Sequence, residues 1–458
     1  MVVKKFGGSS VKNAERINKL IDIVSNETEK CFIVVSAFGG ITDNLCSLLT
    51  NNKANNLELV KTDLEKLLKA ITTILNNLIN DKNKELVLKK LEILYSIMEE
   101  DQLNKIINPI NKDIILSRGE IISSLAIYYA MIENNMKVAY LDAREVIKTN
   151  SHFTEADVDF DLTNQLILKK VNELFSSYDY IIMPGFIGSE PQGMTTTLSR
   201  GGSDYSAAIV AQAINAKRLE IWTDVNGILT IDPRMNNNAK RILHLSYDEA
   251  AELAYFGAKV LHPKTIGPAI KKKIPVVVKN SYEPEKAGTE IYDKQNNPKM
   301  IKAISYRYGI ILITIKSNRM LGAYGFLSKL FEVFKIYETP VDLIATSEVS
   351  VSLTIDEDKN LDKIINELGA FSQVNVSKSH AIVSAIGDGI KETAGIAAKF
   401  FGVLKNINIH LVSVGASEVN LSIIIDEDKV KTAVNLLHDE FFNDNLDDKV
   451  FEIKELNE

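Results

Sequence analysis

The sequence predicts an α/β protein: an αβα sandwich on a mostly parallel central sheet over residues 1–300, then two small α+β units over 301–378 and 379–458. Three observations predict it. Short, continuously apolar runs (CFIVVSAF, YIIMPGFIG, RLEIWTDV, IPVVVKN) alternate with segments of helical periodicity, the pattern of a sheet covered on both faces. Gly-rich turns (GGSS, AFGG, GFIGSEPQG, TDVNG) follow several of these runs, at the strand ends where such sheets collect ligands. After Ile301 the chain repeats itself: FLSKLFEVFKIYETPVDLIATSEVSVSLTIDEDK from Phe326 aligns without gaps with IAAKFFGVLKNINIHLVSVGASEVNLSIIIDEDK from Ile396. Each copy reads strand, helix, hairpin, helix, strand (βαββαβ), and exposed sheet edges favour side-by-side pairing of the two.

Taken in order, Val2–Phe6 reads as a strand and Val11–Val24 as a helix, so Gly7, Gly8, Ser9 and Ser10 lie at a strand-to-helix turn, where a phosphate would sit. Residues 50–115, rich in Asn and Lys, carry helical periodicity (LVKTDLEKLLKAITTILNNLI) and read as scaffold helices. The 458-residue length suits two or three domains. A net charge of −7 with interspersed signs argues against nucleic acid as a partner. Cys31 and Cys46 lack metal-ligand spacing and read as reduced packing thiols. With no leader-like start and no apolar run of membrane-spanning length, a cytoplasmic protein without a membrane partner is expected.

Five segments carry candidate chemistry. In KFGGSS, the glycines admit backbone N–H groups to an anion, and Lys5 adds a full positive charge; because Lys5 precedes the glycines, this is not a Walker loop. TTTLSRGGSDYSAA opens a helix near Asp204 or Tyr205, with Arg200 suited to a bidentate anion. Asp204 reads either as an N-cap or as a carboxylate that orients lysines. IWTDVNGILTIDPR suits a base and ribose, and FGAKVLHPKT places Lys259 on a short helical stretch. In ILSRGEIISS, Glu120 stands between an Arg-Gly turn and an apolar helix, where capping and recognition of an ammonium group are both open. No hydrolytic triad stands out, and the six histidines show no metal spacing.

KFGGSSV, SAFGGITDNL, LSRGE, GFIGSE, TTTLSRGGSDYSAA, WTDVNGILTIDPR and FGAKVLHPKT, in this order, resemble aspartate kinases of the amino-acid-kinase superfamily, over nearly the whole chain. The tandem repeat resembles the paired, ferredoxin-like ACT domains that follow the catalytic domain there, and a monofunctional enzyme is implied. The resemblance implies transfer of the γ-phosphoryl group of Mg-ATP to the β-carboxylate of L-aspartate, with Mg²⁺ held mainly by the nucleotide phosphates and no metal held by the protein. It implies catalytic roles for Lys5, Asp204 and Lys259. ATP would be bound by Lys5, Gly7, Gly8, Ser9, Thr223, Asp224, Leu229, Asp232, Arg234 and Lys259. Aspartate would be bound by Ser36, Thr42, Glu120, Phe186, Arg200 and Ser203. Leu229 stands where many relatives carry an aromatic residue, removing a stacking surface for adenine.

The same resemblance implies feedback inhibition by L-lysine, with threonine as the alternative effector, and a homodimer or homotetramer formed through the ACT domains. Effector contacts would come from Met320, Ala323, Phe326, Leu327, Val341, Asp342, Thr346, Ser347 and Glu348. Asp342 in the first copy stands opposite Val412 in the second, an asymmetry suited to a cationic or zwitterionic ligand. Other readings are a sister kinase acting on glutamate, N-acetylglutamate, carbamate or UMP, and a silent amino-acid sensor.

Overall fold

The computed structural model describes residues 1–53, 57–94, 108–199, 201–256, 263–293, 300–317, 320, 324–356, 359–415, 417–443, 447 and 449–452. The chain forms two compact units, neither continuous in sequence. The first comprises Met1–Ile228, Leu243–Leu245 and Leu261–Asp293; the second comprises Leu229–Ile242, Ser246–Val260 and Lys294–Glu458.

The sheet of the first unit has the order β3-β4-β2-β1-β7-β9-β10-β8. Its members are β1 (Val2–Phe6), β2 (Cys31–Val35), β3 (Val138–Tyr140), β4 (Tyr180–Pro184), β7 (Leu219–Thr223), β8 (His244–Ser246), β9 (Val276–Asn280) and β10 (Thr289–Tyr292). From β3 through β9 every pairing is parallel, and β10 runs antiparallel to β9. Every residue of β1 and β2 is buried, and apolar side chains on both faces of β2 explain why that strand reads as an unbroken hydrophobic run. A hairpin of β5 (Ile187–Ser189) and β6 (Thr195–Thr197) stands apart as its own small sheet, where the sequence reads GFIGSEPQG as a turn.

The helices are α1 (Ala14–Ser25), α2 (Ile41–Lys53), α3 (Leu57–Asn76), α4 (Asp81–Leu88), α5 (Pro109–Glu133), α6 (Ala143–Val146), α7 (Phe160–Leu174) and α8 (Gly202–Ala213). Local chemistry sets their starts: Asn13, Asn80, Asn108 and Asp159 each accept a first-turn backbone N–H. Leu64, Leu67, Ile71 and Leu75 bury one face of α3 in the core, as expected for a scaffold helix. Helix α5 is long and apolar enough to cross a membrane by length and composition, where the sequence reading expected no such stretch. Its apolar residues lie instead in the core with β1 and β2.

In the second unit, α9 (Tyr247–Tyr255) opens with a capping box between Ser246 and Glu249. The repeats supply β11 (Ile301–Lys316), β12 (Ile344–Thr346), β13 (Ser350–Ile355), β14 (Gln373–Gly387), β15 (Leu411–Val414) and β16 (Asn420–Asp426). Helices α11 (Phe326–Ile336), α12 (Leu361–Gly369), α13 (Ile396–Val403) and α14 (Val430–Phe442) complete the repeats; α10 (Pro263–Lys271) belongs to the first unit. The six strands form one antiparallel sheet, order β12-β13-β11-β14-β16-β15.

The repeats interleave. The first half of β11 pairs with the second half of β14, and its second half pairs with β13 and the first half of β14. The strand that completes the second repeat's sheet therefore comes from the start of β11 instead of following α14. The 378/379 position falls inside the single strand β14.

Candidate active site

Lys4 and Lys5 are adjacent on β1 and point to opposite faces, as the two-residue period of a strand requires. Lys4 is enclosed by Glu220 at 2.9 Å and Glu27 at 3.0 Å, with Arg218 bonded to both carboxylates. This network is structural. Lys5 lies at the carboxyl end of the strand, 8% exposed, with Nζ 2.7 Å from Oδ1 of Asp204. The chain then turns through Gly7, whose N–H donates to the Trp222 carbonyl at 3.1 Å. A β-carbon at Gly7 would stand 3.5 Å from Lys5 Nζ, so glycine leaves the amine uncovered on that side.

Gly8–Val11 form a single 3₁₀ turn before α1 begins at Ala14, later than the sequence places the helix. The first N–H groups of such a turn have no intrahelical partner and suit an anion. Ser9 is half-buried in it, with its carbonyl accepting from Tyr282 Oη at 3.3 Å. Ser10 is turned inward, its hydroxyl bonded to the Trp222 carbonyl and to Ser281 Oγ.

Helix α8 starts earlier than expected. Its N-cap is Gly201 in the left-handed region (φ 78°), with no side-chain cap, so Ser203 and Asp204 are first-turn residues. The N-cap reading of Asp204 is thereby excluded, and its carboxylate holds Lys5. Ser203 is buried beside it.

LSRGE is likewise no turn. Arg118, Gly119 and Glu120 sit within α5, whose cap is Asn108, so Glu120 caps nothing. Gly119 is required because a β-carbon there would come 2.8 Å from the Ala37 β-carbon, in the loop after β2. Glu120 is 5% exposed, and burial pushes its carboxyl up to about 7. A backbone hydrogen bond at Ala37 and the positive charge of Lys5 work against that rise. Ser36 is fixed at the end of β2: its N–H donates to the Phe6 carbonyl at 3.1 Å, and its carbonyl accepts from Ser123 Oγ at 2.7 Å.

Phe186, just beyond β4, has φ 69°, a conformation a bulky residue rarely adopts. It is over-determined by its neighbours: its N–H donates to Ser206 Oγ at 2.9 Å and its carbonyl accepts from Leu198 N–H at 2.8 Å. Backbone strain held this firmly is typical of ligand sites. Thr223 at the end of β7 donates from Oγ1 to Asp224 at 3.1 Å, and Thr42 is exposed on the first turn of α2. Arg200 and Lys259 lie outside the described residues, as does Ala323.

The sequence offers no sign of Asp113. Fully buried on α5, it accepts from Thr197 N–H and Thr154 N–H at 2.9 Å each and from Thr197 Oγ1 at 2.6 Å. It ties β6 and the loop before α7 to the helix that carries Glu120.

Leu229, Asp232 and Arg234 belong to the second unit. Arg234 grips Asp232 side-on, with Nη2 at 2.7 Å and Nε at 3.0 Å, and chiefly this guanidinium holds the Asp232 carboxyl down to about 2. Tyr306 Oη also donates to Asp232, at 2.9 Å. Thr230 meets His438 of α14 at 3.0 Å, so the loop is fastened to the second repeat.

Of the expected effector residues, Met320, Phe326 and Val341 pack on the apolar core of the first repeat. Leu327, Thr346, Ser347 and Glu348 are exposed, with Ser347 closing the β12–β13 turn by a 2.7 Å contact to Ser350 Oγ. Asp342 is engaged within the chain, 2.8 Å from Arg307 Nη2 and hydrogen-bonded by Tyr255 Oη.

Residues 1–280 match the amino acid kinase family, and residues 383–441 match an ACT domain. The lysine-sensitive aspartokinase 3 of Escherichia coli (strain K12) is 36% identical over 96% of this chain and 99% of its own length. The chain belongs to the aspartokinases. The E. coli aspartokinase III structure with aspartate and ADP (R-state) superposes with a TM-score of 0.84 at 36% identity, covering 96% of this chain and all of that one. The same enzyme with lysine and aspartate (T-state) gives 0.79 at 35% identity, covering 96% and 99%. The amino-acid-kinase and ACT assignments made from sequence therefore stand.

Proposed function

We propose that this chain transfers the γ-phosphoryl group of Mg-ATP to the β-carboxylate of L-aspartate, giving 4-phospho-L-aspartate and ADP, under feedback control by L-lysine. The observation that carries the reading is the Lys5–Asp204 pair at the carboxyl end of β1, beside the Gly7–Gly8 turn and near buried Glu120.

A side-chain carboxylate with an ordinary pKa of about 3.9 is already ionised at neutral pH, so no base is required. One carboxylate oxygen attacks the γ-phosphorus, the bond from that phosphorus to the bridging oxygen breaks, and ADP leaves with the electron pair. The difficulty is bringing two anions together, which calls for fixed positive charge and positioning. Lys5, with Lys259, meets charge on the transferring group; Asp204 keeps Lys5 in one place. Gly7, Gly8 and Ser9 lay the backbone against the phosphates, and Thr223, Asp224, Leu229, Asp232 and Arg234 hold the rest of the nucleotide. Mg²⁺ would be held mainly by the nucleotide phosphates, where it would supply neutralising charge, while the carboxylate of Asp204 is paired with Lys5.

Glu120 receives the ammonium group of aspartate and Arg200 its α-carboxylate. Ser36, Thr42, Phe186 and Ser203 line the remainder. Lysine as effector is supported by the lysine-sensitive relative; at Asp342 it would share the carboxylate with Arg307. The hydrogen bond between Thr230 and His438 of α14 would give an effector bound at the repeats a mechanical hold on the nucleotide loop. Assembly through the ACT repeats, as a dimer or tetramer, and a cytoplasmic location with both thiols free accord with this reading. Steady-state ADP release tests it: release that depends on L-aspartate and falls with added L-lysine supports the reading. Release independent of aspartate would overturn it.

A further inference from the structure

The second repeat carries a cluster that the kinase reaction does not use. His380 on β14 is the direct cross-strand partner of Asp426 on β16, and His410 immediately precedes β15 on the other side of β16. Their potential ligand atoms all lie within 4.8 Å of one another. His410 Nε2 is 2.8 Å from Asp426 Oδ1, and the two imidazole rings are 4.6 Å apart between centroids.

His380 is the built part of this cluster. It is 3% exposed, and its Nε2 lies 2.6 Å from Ser377 Oγ. The tautomer that donates from Nε2 to Ser377 leaves Nδ1 with its lone pair toward Asp426. Buried Nδ1 makes no hydrogen bond, and Asp426 Oδ1 stands 3.4 Å away. Ser379, at φ 65°, kinks β14 directly before the histidine, so the backbone is bent where His380 enters the sheet. The carboxylate next in line, Glu427, is turned to the Gly309 N–H at 2.7 Å.

We propose that His380, His410 and Asp426 form a binding site for a divalent transition-metal ion of the zinc class, clamping β14, β15 and β16 together. Two imidazoles and one carboxylate select Zn²⁺ or Co²⁺ over Mg²⁺ or Ca²⁺, so the site is distinct from the nucleotide's Mg²⁺. Bonds of about 2.0–2.2 Å in a tetrahedron set ligand atoms roughly 3.3–3.6 Å apart. The present ligand atoms lie within 4.8 Å of one another, and the side chains of His410 and Asp426, 27% and 45% exposed, have solvent on one side in which to adjust around buried His380. Ser377 is the positioning residue that holds the His380 ring. Sequence spacing hides the site, because the ligands come from two strands and the residue before a third and assemble only through sheet register.

Titration of the chelator-treated full chain with Co²⁺, in excess Mg²⁺ and in a Cys46→Ser background that removes the exposed thiol, tests the proposal. The expected result is one Co²⁺ per chain with the visible bands of a four-coordinate nitrogen–oxygen site, displaced by Zn²⁺. His410→Ala, at a partly exposed position that keeps the fold, abolishes the bands, and Ser377→Ala weakens binding by about tenfold. No cobalt bands, or bands unchanged in both His410→Ala and His380→Gln, would overturn the proposal and leave the cluster as a hydrogen-bonded link between strands. Kinase activity is a separate readout, so failure of this proposal leaves the catalytic reading untouched.

Discussion

Burial puts the Glu120 carboxyl near 7, within the range where an enzyme works. Above that pH the carboxylate is ionised and attracts an ammonium group; below it the group is neutral and the attraction is lost. KM for aspartate is therefore expected to rise as pH falls below about 7, and Glu120→Gln is expected to raise KM by about 10- to 100-fold and flatten the profile. KM measured against pH in both proteins checks this, and parallel profiles would contradict it. Folding has the opposite sign. The folded pKa lies above the unfolded value of about 4.3, so this group's stabilising contribution is complete below that pH and is lost as pH rises through about 7. Lys5 is expected to act on turnover: Lys5→Met lowers kcat by about 10²–10³ with a smaller change in KM, as steady-state kinetics would register. Because the Lys5 charge opposes the rise at Glu120, the same variant should move the KM profile toward higher pH.

Among the elements, the sequence revealed strands and helices well and their starts poorly. Asp204 read either as an N-cap or as a carboxylate that orients lysines; left-handed Gly201 moves the start of α8 forward and leaves the carboxylate to Lys5, the second of these readings. Gly119 looked like a turn because glycine weakens helices, but tertiary contact with Ala37 overrides that propensity. Asp113 was invisible, since its partners at Thr154 and Thr197 are remote in sequence. Asp113→Ala strands the buried N–H of Thr197 and the part-buried N–H of Thr154 and is expected to destabilise the protein by roughly 2–4 kcal/mol, seen as a lower denaturation midpoint. In the second unit, Lys302 and Glu249 form a fully buried pair at 2.9 Å. Lys302→Met alone should cost about 3–5 kcal/mol, and the double variant with Glu249→Leu should recover much of it despite losing the capping box of α9. Equal destabilisation by the single and double variants would contradict that account.

At the scale of the molecule, the parallel sheet and the internal repeat were legible because both are periodic signals. The interleaving of the repeats was not, because whether β11 pairs with β13, β14 or both depends on long-range register and leaves no trace in local composition. Placement of the Leu229–Ile242 loop with the repeats was equally hidden, although it offers regulation a physical handle through Thr230 and His438. In the proposed reaction a carboxylate of aspartate is the phosphoryl acceptor. Incubating the purified chain with Mg-ATP, hydroxylamine and either L-aspartate or L-glutamate traps an acyl phosphate as a coloured hydroxamate, with L-lysine added in a parallel series. Hydroxamate from aspartate alone, suppressed by lysine, is the result the account predicts; none from aspartate, or equal amounts from both acids, would contradict it.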